Sequence, residues 1–160
     1  MLSKVIFLAA VSLQAQSGGG NALVYDSGLE PVRFAATEIR RAFAGRGESL
    51  VETTRPGNER RRFVIAASKA ESARVAARDG LAAMKSEAWQ SYSLRRKAEA
   101  GRTTWYVLAA DAAGAMYGGL DLAEAVRLNT LDLVTDADHT PYVERRGIKF
   151  NAPLDVRTPS

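Results

Sequence analysis

Cysteine is absent from this 160-residue sequence, and histidine occurs once, at His139. Without thiols the fold cannot rely on disulfides, and thiolate zinc sites and cysteine nucleophiles are excluded. The chain also contains neither an H-E-x-x-H zinc motif nor a G-x-S-x-G nucleophile elbow, and a lone loop histidine is usually a surface residue. We therefore expect no catalytic residue, no metal ligand and no cofactor in this chain.

A large excess of one charge sign is also missing. The net charge is +4, from 22 lysines and arginines against 18 acidic residues. The 17 arginines are scattered along the chain, singly, in three pairs and in one triplet, instead of forming one block. A charge this small and this dispersed does not indicate a nucleic-acid-binding surface, so we expect no nucleic-acid partner. The composition is that of one ordinary globular domain.

The N-terminus has an apolar segment that is too short to span a bilayer. Val5–Leu13 comprises nine residues, whereas a spanning helix needs about 20. Lys4 precedes this segment, and Ala15–Ser17 offers the small residues of a cleavage site. This order predicts a signal peptide over residues 1–17, with a buried N-terminal strand as the alternative. We expect an exported protein, periplasmic or extracellular, with a linker at 18–21 and no membrane partner after cleavage.

Residues 22–130 alternate between strand and helix patterns. Apolar residues recur every three or four positions over Val32–Phe43, which predicts an amphipathic helix. Ser68 and Glu71 form a capping box that opens a second helix to about Met84. Strand candidates are ALVYDS, SLVETT, RRFVIAAS, WQSYSLRRK and TTWYVLAA. The order predicts an α/β (α+β) domain with a mixed, mostly antiparallel sheet and helices packed on it.

The stretch DAAGAMYGGLD begins the third predicted helix, which Asp111 can cap. It lacks the G-K-[ST] of a P-loop and the G-x-G-x-x-G of a dinucleotide site. We therefore interpret Gly114, Gly118 and Gly119 as structural, because glycine lets a helix approach a sheet closely.

Two further groups of residues could carry chemistry. Asp132, Asp136 and Asp138 lie in a polar connector over residues 131–143, where we expect a solvated linker instead of a catalytic pair or a calcium site. Aromatic side chains near or in the fourth and fifth strands could stack on sugar rings if exposed, although strand aromatics more often belong to the core. These are Trp89, Tyr92, Trp105 and Tyr106.

The segments WYVLAAD, GAMYGGLDLAEAVR and YVERRGIKFN, in this order, resemble the N-terminal domain of family 20 β-hexosaminidases. Family 67 α-glucuronidases have a related domain, and EPVRFAATEIRRAF also resembles their first helix. The resemblance covers roughly residues 22–150. It implies a zincin-like, two-layer domain placed before a (β/α)8 barrel, and in such enzymes the catalytic carboxylates lie inside the barrel.

The resemblance also implies roles for the end of the chain. Residues 144–160 would form the first strand of a barrel that is missing from this chain. Arg146, before Gly147, matches an R-G motif whose arginine contacts the sugar, so Arg146 is the substrate-binding candidate. The following IKFNAPLDVR departs from the M-L-D-x-x-R pattern, which leaves Asp155 and Arg157 without an assigned role.

The expected function is therefore that of a non-catalytic N-terminal domain of an exported glycoside hydrolase of the β-hexosaminidase or α-glucuronidase type. Its partners would be its own catalytic barrel and, through the whole enzyme, a glycan. The chain alone would be inactive. The alternative is a stand-alone carbohydrate-binding or envelope-interaction module, which exposed tryptophans aligned on one sheet face would favour.

Overall fold

The computed structural model describes residues 20–55 and 57–143. The predicted signal peptide, the predicted barrel strand and Arg146 lie outside these residues. The strands are β1 Asn21–Val24, β2 Leu50–Glu52, β3 Arg61–Ala66, β4 Tyr92–Glu99, β5 Arg102–Ala109 and β6 Ala137–His139. The helices are α1 Glu30–Ala44, α2 Lys69–Asp79 and α3 Ala112–Arg127, with a 3-10 helix at Leu131–Leu133.

The six strands form one mixed sheet in the order β2-β1-β3-β5-β4-β6. The predicted α+β class, with helices packed on a mixed sheet, is confirmed. The prediction that most of the strand pairings are antiparallel is wrong, because three pairings are parallel and two are antiparallel. The apolar pattern of a strand does not encode its direction. Helices α1 and α2 return the chain across the sheet, which is what parallel pairing requires.

Helices cover both faces of the sheet, so the domain has three layers where the resemblance implies two. Phe63 and Ile65 of β3 pack in one core cluster with residues of α1 and α3. Val64 and Ala66, which alternate with them, pack in a second cluster with α2. Since β3 is apolar on both sides, both sides must be removed from water.

Both predicted helix caps are present. Glu71 donates its backbone N–H to the Ser68 hydroxyl (3.2 Å) and accepts from the Ala67 N–H through Oε2 (2.9 Å). The Asp111 carboxylate accepts from the Gly114 N–H at 2.8 Å. Helix α2 ends earlier than predicted, however, at Asp79, because the following glycine adopts a left-handed conformation that closes the helix.

The glycines of α3 allow close packing, as predicted. A Cβ atom at Gly118 would lie 2.5 Å from Cγ1 of Val107 on β5. At Gly119 it would lie 2.7 Å from the Ala35 side chain on α1, and Gly114 is equally tight against a carbonyl of the loop before β4. The glycines therefore set how closely α3 approaches both the sheet and α1.

Residues 131–143, assigned to a connector from the sequence, contribute to the fold. They contain the 3-10 helix, whose Leu131 is buried in the core, and the edge strand β6, which pairs with β4. In the described part of the chain, no helix has the length and apolarity needed to cross a membrane.

Candidate functional site: an aromatic cleft at one end of the sheet

The carboxyl ends of the parallel strands lie at one end of the sheet, and this end carries the candidate site. In open sheets with parallel strands, ligands bind outside the carboxyl ends of the strands. Strand β6 also ends here, and the antiparallel β4 begins here. Beside these strand ends and helix α3 opens a cavity of about 240 Å³, which we name the β4–β6 cleft. It is lined by Gln90, Tyr92, Tyr117, Asp121, His139, Thr140, Pro141 and Tyr142.

Aromatic rings form much of the cleft. Tyr92 of β4 and His139 of β6 are paired across the strands, and their rings stack with centroids 4.6 Å apart and planes 9° from parallel. Tyr142 follows Pro141 and is fully exposed, with a relative exposure of 102%. The cleft thus presents ring surface to solvent beside a stacked pair.

Helix α3 adds a carboxylate to these rings. Tyr117 and Asp121 are four residues apart, so they lie on one face of the helix. The Tyr92 hydroxyl donates a hydrogen bond to Oδ2 of Asp121. A carboxylate can accept about four hydrogen bonds, so Asp121 can accept more than this one.

Gln90 enters the cleft from a strained backbone position. Its φ is +62°, in the left-handed region that residues other than glycine rarely adopt. The Gln90 N–H donates to Oδ2 of Asp111 at 2.7 Å, while Oδ1 of the same carboxylate caps α3. Asp111 therefore couples the start of α3 to the loop that carries Gln90. Strained residues held by their surroundings are concentrated at functional sites.

On the other face of these strands, a buried ion pair joins β4 to β6. The Arg95 side chain is 3% exposed and contacts Oδ1 of Asp138 at 2.7 Å. It also donates to the carbonyls of Ala82, Ala83 and Ala137 at 2.9–3.0 Å. One guanidinium therefore holds both the loop after α2 and the edge strand β6 against β4.

The pKa of the Asp138 carboxyl reflects this pairing. Burial alone would raise its pKa, but hydrogen bonds from Ser93 and Arg95 outweigh burial and hold the pKa well below its usual range. Ser93 donates to Oδ1 at 2.6 Å. Asp138 is thus ionised at neutral pH and serves the fold.

A second cavity at the same end of the sheet, of about 410 Å³, lies at the carboxyl ends of β1 and β2. Here Glu52 accepts a hydrogen bond from the Tyr25 hydroxyl at 2.7 Å. It also forms an ion pair with Arg40 at 2.5 Å. Burial, together with the hydrogen bond to Glu52, raises the pKa of Tyr25. Both oxygens of the carboxylate are engaged, so its charge is already neutralised.

A third cavity, of about 260 Å³, opens at the opposite end of the sheet, beside the β4–β5 turn. Two of its three cations have acidic neighbours: Arg62 lies 3.6 Å from Glu59, and Lys97 lies 3.2 Å from Glu99. Asp79 also lines it, and a hydrogen bond from the neighbouring arginine of α2 lowers the pKa of its carboxyl. The charges of this cavity are therefore largely balanced.

The two tryptophans do not form an exposed row on the sheet. Trp105 is 1% exposed and stacks on Phe63 with centroids 5.3 Å apart, whereas Trp89 is 55% exposed and lies in the loop before β4. Tyr106 is also buried, so the core assignment of the strand aromatics is confirmed for Trp105 and Tyr106. Tyr92 is half-buried and packs against the core while also lining the cleft. The assignment is wrong for Trp89, which is exposed.

The acidic connector is only partly the solvated linker that the sequence predicts. Asp138 forms the buried ion pair, and Asp136 accepts from the Arg96 N–H at 2.9 Å, whereas Asp132 is exposed. Sequence reasoning missed the pair because its members are 43 positions apart. The available signal was Arg95 itself, a charged residue inside an otherwise strand-like run. Among residues 20–55 and 57–143, no cluster of three acidic or histidine side chains could hold a metal ion.

Comparison with known proteins gives structural neighbours only. No family model matches the chain, and no curated protein matches it. One similar solved structure is a GH138 enzyme targeting pectin rhamnogalacturonan II, with a TM-score of 0.53 and 14% identity over 76% of this chain. Another is a GH115 4-O-methyl-α-glucuronidase with specificity for decorated arabinogalactans, with a TM-score of 0.50 and 17% identity over 69%.

The chain matches only a small part of each neighbour, 15% of the GH138 enzyme and 14% of the GH115 enzyme. At this level of identity the likeness concerns the fold alone. Neither enzyme belongs to the two families that the sequence resembles. The chain therefore shares its fold with a minor portion of two glycoside hydrolases.

Proposed function

We propose that this chain is a non-catalytic N-terminal accessory domain of an exported glycoside hydrolase that acts in glycan breakdown. The observation that carries the proposal is the fold likeness, because a fold matching most of this chain makes up only 15% and 14% of two glycan-cleaving enzymes. Most of each enzyme lies outside the matched portion, and we propose that this larger part carries the reaction. We assign the same division of labour here.

The carboxylates of the domain support a non-catalytic role. Glycoside cleavage needs two carboxyl groups that remain available to the substrate. Glu71 and Asp111 cap helices, while Asp138 and Glu52 are held by arginines. These four side chains serve the fold, and we assign the reacting carboxylates to another part of the enzyme.

The remaining parts of the proposal rest on sequence motifs. Residues 1–17 would be a signal peptide for export, and residues 144–160 the first strand of the catalytic barrel. Arg146 would contact the sugar once that barrel is complete. Of the two enzyme types that the sequence resembles, the α-glucuronidase type is favoured, since one structural neighbour is described as a 4-O-methyl-α-glucuronidase.

The gene and the purified protein test this proposal separately. The reading frame should continue beyond Ser160 for roughly the 250 residues of a barrel. The purified 160-residue chain should release no product from aryl glycosides, whereas the longer product should. In the longer product, Arg146→Ala should raise KM for the glycoside, with Arg157→Ala as a nearby control. A stop codon directly after Ser160, or turnover by the short chain, would contradict the proposal.

A further inference from the structure

The β4–β6 cleft has the size and lining of a site for one small ring. Cavities that bury drug-sized ligands measure about 300–1,000 Å³, and this one measures about 240 Å³. Such cavities combine aromatic walls with a few polar groups that fix the orientation of the ligand. Here Tyr142, His139 and Tyr92 supply the rings, and Asp121 supplies the carboxylate.

The position of Tyr142 favours a ligand with an apolar face. A tyrosine ring offers flat apolar area together with a polar hydroxyl. Tyr142 leaves its whole ring accessible to a ligand, and Pro141 restricts the backbone just before it. A pyranose ring fits this surface because it has a face of C–H groups and a rim of hydroxyls.

The charge of the lining selects among sugars. Asp121 is the one acidic side chain among the residues that line the cleft, and none of them is a lysine or an arginine. A carboxylate accepts hydrogen bonds from hydroxyl or ammonium groups and repels another carboxylate. The lining therefore suits a neutral or amino-bearing sugar and disfavours a uronic acid.

We propose that the β4–β6 cleft is a binding site for a neutral or amino-bearing sugar ring of a glycan. The ring stacks on Tyr142 beside the Tyr92–His139 pair, and its hydroxyls donate to Asp121. The strained Gln90, fixed by Asp111, borders the same cleft. This inference rests on the proposed glycan context but assigns the accessory domain a binding function of its own.

Isothermal titration of the 160-residue chain tests the site. The probes are a neutral galactan oligosaccharide, a chitosan oligosaccharide and polygalacturonate. Tyr142→Ala should weaken binding about tenfold, because it removes the stacking surface. Asp121→Asn should weaken binding several-fold, since hydrogen bonds to a charged acceptor are roughly twice as strong as neutral ones. Phe34→Ala is the matched control, since Phe34 is 50% exposed and lies on α1, outside the cleft.

Four results would overturn the inference. The first is that neither the galactan nor the chitosan oligosaccharide binds, and the second is tighter binding of polygalacturonate. The third is an equal loss of affinity in Tyr142→Ala and Phe34→Ala, and the fourth is binding that disappears in a longer gene product. The last would make the cleft an interface between domains. Thermal unfolding of each variant verifies that it is folded. A failure of binding leaves the accessory-domain proposal standing, whereas turnover by the short chain refutes that proposal without affecting the cleft.

Discussion

Replacing Arg95 with methionine should destabilise the domain more than any exposed charge replacement. The side chain is 3% exposed and donates to three carbonyls outside its own strand and to Asp138. Methionine preserves much of the packing volume but removes every donor. The Asp138 carboxylate and the three carbonyls then lose the guanidinium that donates to them, in a region with little access to water.

The magnitude follows from breaking one side of a buried pair. Removing one partner costs about 3–5 kcal/mol when the other charge stays buried. Asp138 retains 18% side-chain exposure and its bond from Ser93, so we expect the lower part of this range, about 3 kcal/mol. Since domains are stable by about 5–15 kcal/mol, such a loss would be a large fraction of the total.

Urea unfolding followed by tryptophan fluorescence measures this loss, because Trp105 is buried in the core. Lys85→Met is the matched control. Lys85 pairs with the same carboxylate at 3.5 Å but is 82% exposed, so its removal should cost less than about 1 kcal/mol. If Arg95→Met lost no more stability than Lys85→Met, the ion pair would not be what holds β6.

Three smaller predictions concern other parts of the fold. Because the Asp138 pKa is depressed, its contribution to stability is fully present above the unfolded value of about 4 and declines as the pH falls below it. Acid titrations of wild type and Asp138→Asn should show a smaller acid-dependent loss in the variant, and equal slopes would exclude this role. Gly118→Ala should lower stability by about 1–3 kcal/mol in urea, because its Cβ would overlap Val107; an unchanged midpoint would show that α3 can shift outward. Ser68→Ala should cost about 1 kcal/mol by loss of the α2 cap, and a variant with unchanged thermal stability would contradict this.

Local signals predicted the helices well. The apolar spacing over Val32–Phe43 corresponds to the buried face of α1, and the side chains of Ser68 and Asp111 cap α2 and α3. These features depend on residues within one or two turns of each other. The end of α2 was harder, because whether Gly80 closes a helix or merely weakens it depends on the φ that it adopts.

The cleft could not be predicted, because its residues come from three distant segments. Gln90 and Tyr92, Tyr117 and Asp121, and His139 and Tyr142 meet only once β4, α3 and β6 are in place. No periodicity links them, and His139 alone looks like a surface residue. The ion pair of Arg95 with Asp138 escaped prediction for the same reason, since strand order sets which residues meet.

The two ends of the described sheet have a consequence for solubility. Strands β2 and β6 are its edges, and each has three residues. Each also carries an acid bound to an arginine, Glu52 to Arg40 and Asp138 to Arg95. A foreign strand pairs most readily with a long, exposed edge, whereas these edges are short. We therefore expect neither of these edges to pair readily with a strand of a neighbouring copy.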